Sequence, residues 1–193
     1  MLDNLEKYKV ILASGSPRRR ELMAGLGVNY EVRILPDVDE SYPDTLQGEE
    51  IPLYIAKEKA DAYIPMMQPD ELIITADTIV WLDGEVLGKP RDREDALQML
   101  RTMSGRTHEV FTGVCITTTD WQRSFTAQTE VRFATLSEDE IIYYVDNFKP
   151  MDKAGAYGVQ EWIDFIGVEN ISGSYYNIMG LPVQKLYREL LKV

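Results

Sequence analysis

Three consecutive arginines follow a serine and a proline in the stretch Leu12-Ala13-Ser14-Gly15-Ser16-Pro17-Arg18-Arg19-Arg20-Glu21-Leu22. The stretch predicts a strand, a short loop and a helix, with Ser16 as N-cap and Pro17 at the first helical position. The first turn of a helix carries partial positive charge and unpaired N–H groups. Carboxylates belong there, and each arginine is unfavourable by roughly 0.3–1 kcal/mol. An anion reverses that sign. A phosphate chain would meet the N–H groups, the small-residue loop and the guanidinium forks together. Residues 14–20 therefore predict a phosphate-bearing ligand, against the alternative of an ordinary run of surface arginines.

Three further groups could do chemistry on such a ligand. Asp77 ends the apolar run 71–76, which reads as a central strand. Ligands gather at strand ends in open α/β sheets, and a carboxylate there can hold a metal or act as general base toward water; capping a turn is the competing role. Lys57 and Lys59 lie in one helical segment, and Lys89 sits between Gly88 and Pro90 in a tight turn. A lysine fixed in a turn is a point charge for phosphate, whereas helical lysines are usually solvated. Asp39-Glu40 places paired carboxylates in an acidic stretch, which suits Mg²⁺ or Mn²⁺ with oxygen ligands or simply a solvated loop.

Other chemistries lack their residues. There is no Gly-x-x-x-x-Gly-Lys-Ser/Thr loop and no Gly-x-Gly-x-x-Gly fingerprint. One histidine, His108, and one cysteine, Cys115, cannot make a zinc cluster of the usual kind or an intrachain disulfide. No serine elbow stands near His108, so hydrolysis here would use water and a metal ion without a covalent intermediate. The net charge of −12 disfavours a nucleic-acid polymer as partner but not a mononucleotide in a local basic pocket. No apolar run approaches a membrane span and the first eight residues hold no signal-peptide core, which together with the cysteine count fits the cytoplasm.

The elements that must position these groups alternate at first and then lengthen. Strands are expected over 7–13, 29–35 and 71–76, with helices after Ser16 to near Gly27 and over 50–64. Asp83-Gly84 between apolar runs predicts a hairpin within 78–87. A helix capped by Asp92 runs to Met103, and strands 108–118 and 124–136 flank a turn near Asp120. Ser137 and Glu140 form a capping box for a helix to about Phe148, residues 162–168 read as a strand, and Pro182 opens a final helix. The 193 residues suffice for one domain with a sizeable core. The order predicts an α/β fold with a mixed sheet, and no linker divides the chain.

The opening stretch closely resembles the first motif of the Maf family of nucleoside triphosphate pyrophosphatases. The likeness continues through Lys57-Glu58-Lys59-Ala60, Ala76-Asp77-Thr78-Ile79-Val80 and Gly88-Lys89-Pro90-Arg91-Asp92. It goes on through Met103-Ser104-Gly105-Arg106-Thr107-His108, Asp152-Lys153-Ala154-Gly155-Ala156-Tyr157-Gly158-Val159-Gln160 and Gly173-Ser174-Tyr175-Tyr176-Asn177-Ile178-Met179-Gly180-Leu181-Pro182. The resemblance implies metal-dependent cleavage of a nucleoside triphosphate to monophosphate and pyrophosphate, in a single domain over residues 1–193. It implies a largely antiparallel, twisted mixed sheet with flanking helices in an elongated two-lobed molecule with a central cleft, like the inosine-triphosphate pyrophosphatases, and a homodimer. Asp77 falls on the position proposed as general base, and Ser14, Arg18, Arg19, Glu40, Lys59 and Lys89 on polar positions of the family site. Glu40 and Asp77 are the expected metal ligands. Arg19, Thr78 and Gln160 match the branch that prefers dTTP and UTP, and a glutamine amide offers a donor and an acceptor to a uracil or thymine edge. The alternatives are a 7-methyl-GTP pyrophosphatase and a nucleotide-binding regulator of division without turnover.

Overall fold

In a computed structural model, residues 2–193 are described. The strands are β1 (Lys9–Leu12), β2 (Glu31–Val32), β3 (Glu71–Leu82), β4 (Glu85–Leu87), β5 (Thr107–Thr117), β6 (Gln122–Phe133) and β7 (Val168–Ser172). The α-helices are α1 (Pro17–Gly25), α2 (Glu50–Asp61), α3 (Arg93–Met103), α4 (Glu138–Phe148), α5 (Trp162–Gly167), α6 (Tyr175–Ile178) and α7 (Val183–Leu190). One mixed α/β sheet joins the strands in the order β2-β1-β3-β5-β6-β7, with β4 paired to β3. β1 runs parallel to β2 and β3; β4 is antiparallel to β3, and β7 to β6. β5 and β6 are joined by a four-residue turn, closed where Thr118 N donates to Trp121 O at 2.9 Å. Among the described residues no helix is long and apolar enough to cross a membrane.

The chain forms two compact units. The first holds residues 1–77, 112–127 and 180–193; the second holds 78–111 and 128–179. In the first, Ile11, Leu12, Leu72, Ile73 and Ile74 are buried on paired β1 and β3, as a central parallel pair requires. α2 lies on β5 through small residues: Ala56, Ala60 and Cys115 form one buried cluster. The approach is so close that a Cβ on Gly113 would sit 2.3 Å from the Pro52 carbonyl oxygen. In the second unit, α3 and α4 bury Leu97, Leu100, Met103, Ile141 and Tyr144. Arg101 of α3 bridges to Glu138 of α4 at 2.5 Å.

Most local signals appear as expected. Ser16 accepts from Arg19 N, Asp92 accepts from Asp95 N, and Ser137 with Glu140 makes both halves of the capping box. Gly27 and the Asp83-Gly84 turn adopt the positive φ their places demand, 70°, 55° and 89°. Three expectations change. The strand expected over 29–35 pairs only at Glu31–Val32. β3 does not end at Ala76: it runs as 12 residues through Asp77 and Thr78 to Leu82. The polar pair reads as a break in sequence, yet the strand runs through it. Residues 162–168 are not a strand; α5 occupies Trp162–Gly167. Its burial has helical period: Ile163 and Gly167 are buried while Phe165 is 80% exposed. A short apolar run does not separate these two cases by composition.

Candidate active site

Lys59 organises the first unit's charged groups. Its Nζ lies 2.8 Å from Asp77 Oδ1 and 2.8 Å from Glu40 Oε1. Lys59 and Asp77 are largely enclosed, with side-chain exposures of 14% and 15%, whereas Glu40 stands in solvent at 57%. The lysine reaches Asp77 because α2 is tied to β3 one turn earlier, where Thr75 Oγ1 donates to Ala56 O at 2.6 Å. Glycine at position 113 lets α2 sit deep enough for that bond.

The arginine helix meets the same stretch of β3. Ala13 N donates to Ile74 O at 2.9 Å, carrying the β1–β3 pairing into the loop. Buried Ser14 then accepts from Ser16 N at 3.2 Å, and Ser16 caps α1. No acidic residue occupies the first turn of α1. Arg19 Nη1 donates to Ala76 O at 2.8 Å and its Nε to Gly180 O at 2.7 Å. Burial of the guanidinium lowers the Arg19 pKa, opposed by the Asp77 carboxylate; Arg18 lowers it further and Glu40 raises it. An arginine still keeps its charge under such pressure. Arg19 thus grips the carbonyl immediately before Asp77, a contact no sequence pattern reveals. Ser14, Arg19, Lys59, Asp77 and Glu40 form one connected constellation, with Arg18 beside Arg19.

Thr78, Lys89 and Gln160 belong to the second unit. Thr78 follows Asp77 in β3, so the two side chains leave on opposite faces. Lys89 is exposed just past β4, and Gln160 is exposed in the turn before α5. Their segments are linked where Gly155 N donates to Gly88 O at 3.0 Å. Two groups that could look reactive are closed off. Cys115 is fully buried and its thiol is pushed up to about 11 by burial. His108 is buried, pushed down to about 4, and hydrogen-bonded through Nε2 to the Tyr157 hydroxyl at 2.8 Å.

Residues 9–193 match the sequence profile of the family described as Maf-like protein. The chain belongs to the Maf family. Among Maf relatives, a dTTP/UTP pyrophosphatase of Bacteroides thetaiotaomicron is 71% identical over 193 residues, covering 100% of each chain. One of Parabacteroides distasonis with the same name is 60% identical over 190 residues, covering 98% of each. A solved HAM1 protein from Coxiella burnetii aligns with this Maf chain at 15% identity and a TM-score of 0.47, covering 96% of this chain and 100% of that one.

Sequence reading alone passes over the residues that surround Gln160. Tyr144 is a buried α4 residue and Tyr175 opens α6, so both read as ordinary aromatic packing. The signal that could have found them is the density of Gly and Tyr in 155–158 and 173–176, which marks close backbone approach rather than core.

Proposed function

We propose that this chain hydrolyses dTTP and UTP to the nucleoside monophosphate and pyrophosphate. The observation that carries the reading is Lys59 poised 2.8 Å from both Asp77 and Glu40, with Arg19 of the α1 first turn bonded to the carbonyl just before Asp77. The names of relatives 60–71% identical over nearly the whole chain support the substrate class. The matched span 9–193 draws on both units, which supports treating them as one catalytic domain.

The donor set fits a divalent cation. One lysine against two carboxylates leaves the trio of Lys59, Asp77 and Glu40 net negative, which repels a polyphosphate. Magnesium is commonly held by one or two carboxylates together with substrate phosphates rather than by an all-protein cage. Among the described residues no group of three or more His, Cys, Asp and Glu is placed to hold a metal by itself. Glu40 and Asp77 would hold Mg²⁺ or Mn²⁺, which when bound neutralises phosphate charge and polarises the α-phosphoryl group.

The chain's own residues then have distinct tasks. Asp77 accepts a proton from water as the water oxygen bonds to the α-phosphorus. The bond from that phosphorus to the α,β-bridging oxygen breaks, and pyrophosphate leaves. Lys59 orients Asp77 through Oδ1, and Arg19 fixes the backbone on which Asp77 rides. Ser14, Arg18 and the amide groups at the start of α1 hold phosphate oxygens, with Lys89 as a further point charge. Charge develops on phosphate oxygens in the transition state, so these preorganised cations supply most of the rate gain. Thr78 supports the substrate from β3, and Gln160 reads the base. The net charge of −12 supports free nucleotides rather than a nucleic-acid polymer as the substrate, and we place the enzyme in the cytoplasm as a homodimer.

Pyrophosphate release from dTTP, UTP, CTP, ATP, GTP and 7-methyl-GTP, with Mg²⁺, with Mn²⁺ and with chelator, tests the reading. The expected result is metal-dependent release confined to dTTP and UTP. Release from 7-methyl-GTP alone would overturn the base assignment, and release from none would overturn the activity.

A further inference from the structure

The turn that carries Gln160 is held at every neighbouring residue and left open only at Gln160. Gly155 and Ala156 lead into it with φ of 68° and 57°. An alanine in that left-handed region is strained and persists only where its surroundings over-determine it. Here they do. The Tyr157 hydroxyl is bonded to His108 Nε2 at 2.8 Å, and Phe133 packs edge-on against both rings. Gly158 N donates to the Tyr144 hydroxyl at 3.0 Å. Val159 O accepts from the Tyr175 hydroxyl at 2.5 Å. Glu161 Oε1 meets Lys153 Nζ at 3.0 Å, and Glu161 Oε2 accepts from Tyr144. Gly158 lies so close to this pair that a Cβ would stand 2.9 Å from both Glu161 Cδ and Lys153 Cε.

This framework is expensive for a surface turn. Lys153 is buried, and a buried ion pair is weak evidence for stability because desolvation offsets the attraction. Its use is geometric. At 157, 158, 159 and 161 the backbone or side chain is fixed by hydroxyl, imidazole or ammonium, and the exposed Gln160 is carried on a rigid root. Rigidity matters for this residue type. An amide can turn over and show either its donor or its acceptor. Uracil and thymine present a C4 carbonyl and an N3–H; cytosine presents a C4 amino group and a bare N3. On a root that shifts, the amide could follow either edge, whereas a fixed root limits the distances and angles from which the amide can meet the base. Unpaired polar groups are what make rejection of the wrong base strong.

We propose that Tyr175, Tyr144 and the Lys153–Glu161 pair are positioning residues for pyrimidine recognition, setting the preference for UTP over CTP through the root of Gln160. The proposal rests on the reading of Gln160 as the residue that meets the base. The test is the ratio of kcat/KM for UTP to that for CTP in the full-length protein and in Gln160→Ala, Tyr175→Phe, Glu161→Gln and the Gln160→Ala/Tyr175→Phe double variant. Tyr175→Phe keeps the ring and removes one hydroxyl; Glu161→Gln keeps the shape and removes the charge, and serves if the first variant does not fold. Gln160→Ala is expected to lower the ratio about tenfold or more. Tyr175→Phe and Glu161→Gln should each lower it about fivefold through a raised KM for UTP, with kcat held. The double variant should fall no further than Gln160→Ala alone, since residues acting through one group are not additive. Loss in Gln160→Ala with an unchanged ratio in Tyr175→Phe and Glu161→Gln would overturn the positioning role and leave the base reading intact, as would additive losses in the double variant. An unchanged ratio in Gln160→Ala would overturn both.

Discussion

The surroundings of Asp77 and those of Gln160 are built from different materials. Asp77 is held by ions: Lys59 pairs it with Glu40, and Arg19 grips the preceding carbonyl. Gln160 is held mainly by neutral groups, with the hydroxyls of Tyr144 and Tyr175 and the Tyr157–His108 bond fixing the backbone around it. On the proposed reading, Asp77 faces a polyphosphate and Gln160 faces a base. A polyphosphate brings charge, and ionic partners can share it without being left bare. A base brings only donors and acceptors, and discrimination among those depends on fixed direction more than on field strength. In the second region the one buried charge pair, Lys153–Glu161, is turned inward to brace the turn.

The largest expected effect breaks the ionic side alone. Asp77→Asn should lower turnover on UTP by about 10²–10⁴-fold, the usual scale of general-base loss. The selectivity of residual activity should stay unchanged, as single-turnover pyrophosphate assays would show; turnover within a few-fold of the parent would remove Asp77 from the base role.

Next come two glycine substitutions, one in each region. Gly113→Ala should push α2 off β5, because its Cβ would meet the Pro52 carbonyl at 2.3 Å. Overpacking of this sort costs about 1–3 kcal/mol, and the displaced Lys59 should slow all nucleotides alike. Gly158→Ala should spread the Lys153–Glu161 pair and lower the UTP-to-CTP ratio with less effect on kcat. Melting curves with steady-state kinetics on both variants would separate the two outcomes. If both lose rate and selectivity together, the division of labour between the regions is wrong.

Acid should sharpen the contrast more gently. Burial pushes His108 down to about 4, below its unfolded value near 6.5. Between those values the unfolded chain binds the extra proton, so stability is full above about 6.5 and falls as pH drops toward 4. Urea unfolding at pH 7 and pH 5 should differ by about 2 kcal/mol from this residue. His108→Gln should remove that part of the slope, and an unaltered slope would deny His108 its neutral buried role. Smallest of all, Arg93→Ala should leave stability almost unchanged, because its pair with Asp146 lies in solvent. That variant serves as a control whose melting temperature and kinetics should both stay near those of the parent.

Much of the architecture was legible from local chemistry. Ser16 and Pro17, Asp92, and Ser137 with Glu140 mark helix starts because the groups that satisfy a helix end lie within three residues of it. The Asp83-Gly84 turn is equally local. The charged residues gathered around Asp77 were singled out in the sequence too, but nothing along the chain shows that Arg19 donates to the carbonyls of Ala76 and Gly180. Less local features escaped. Residues 162–168 read as a strand because apolar runs of that length carry no period; only burial of Ile163 and Gly167 against the rest of the second unit makes α5 a helix.

By itself, then, the sequence determined the family, the caps, the turns and the inventory of charged and polar groups that could act on a nucleotide. Tertiary structure alone decided that β3 runs unbroken through Asp77, that Lys59 stands between Asp77 and Glu40, and that Arg19 serves the backbone before Asp77. It also decided that three tyrosines, a histidine and a lysine–glutamate pair converge on the Gln160 turn. These contacts join residues 8 to 57 positions apart in the chain. Pattern along a chain records neighbours; a hydrogen bond between distant residues is written only when packing brings them within reach.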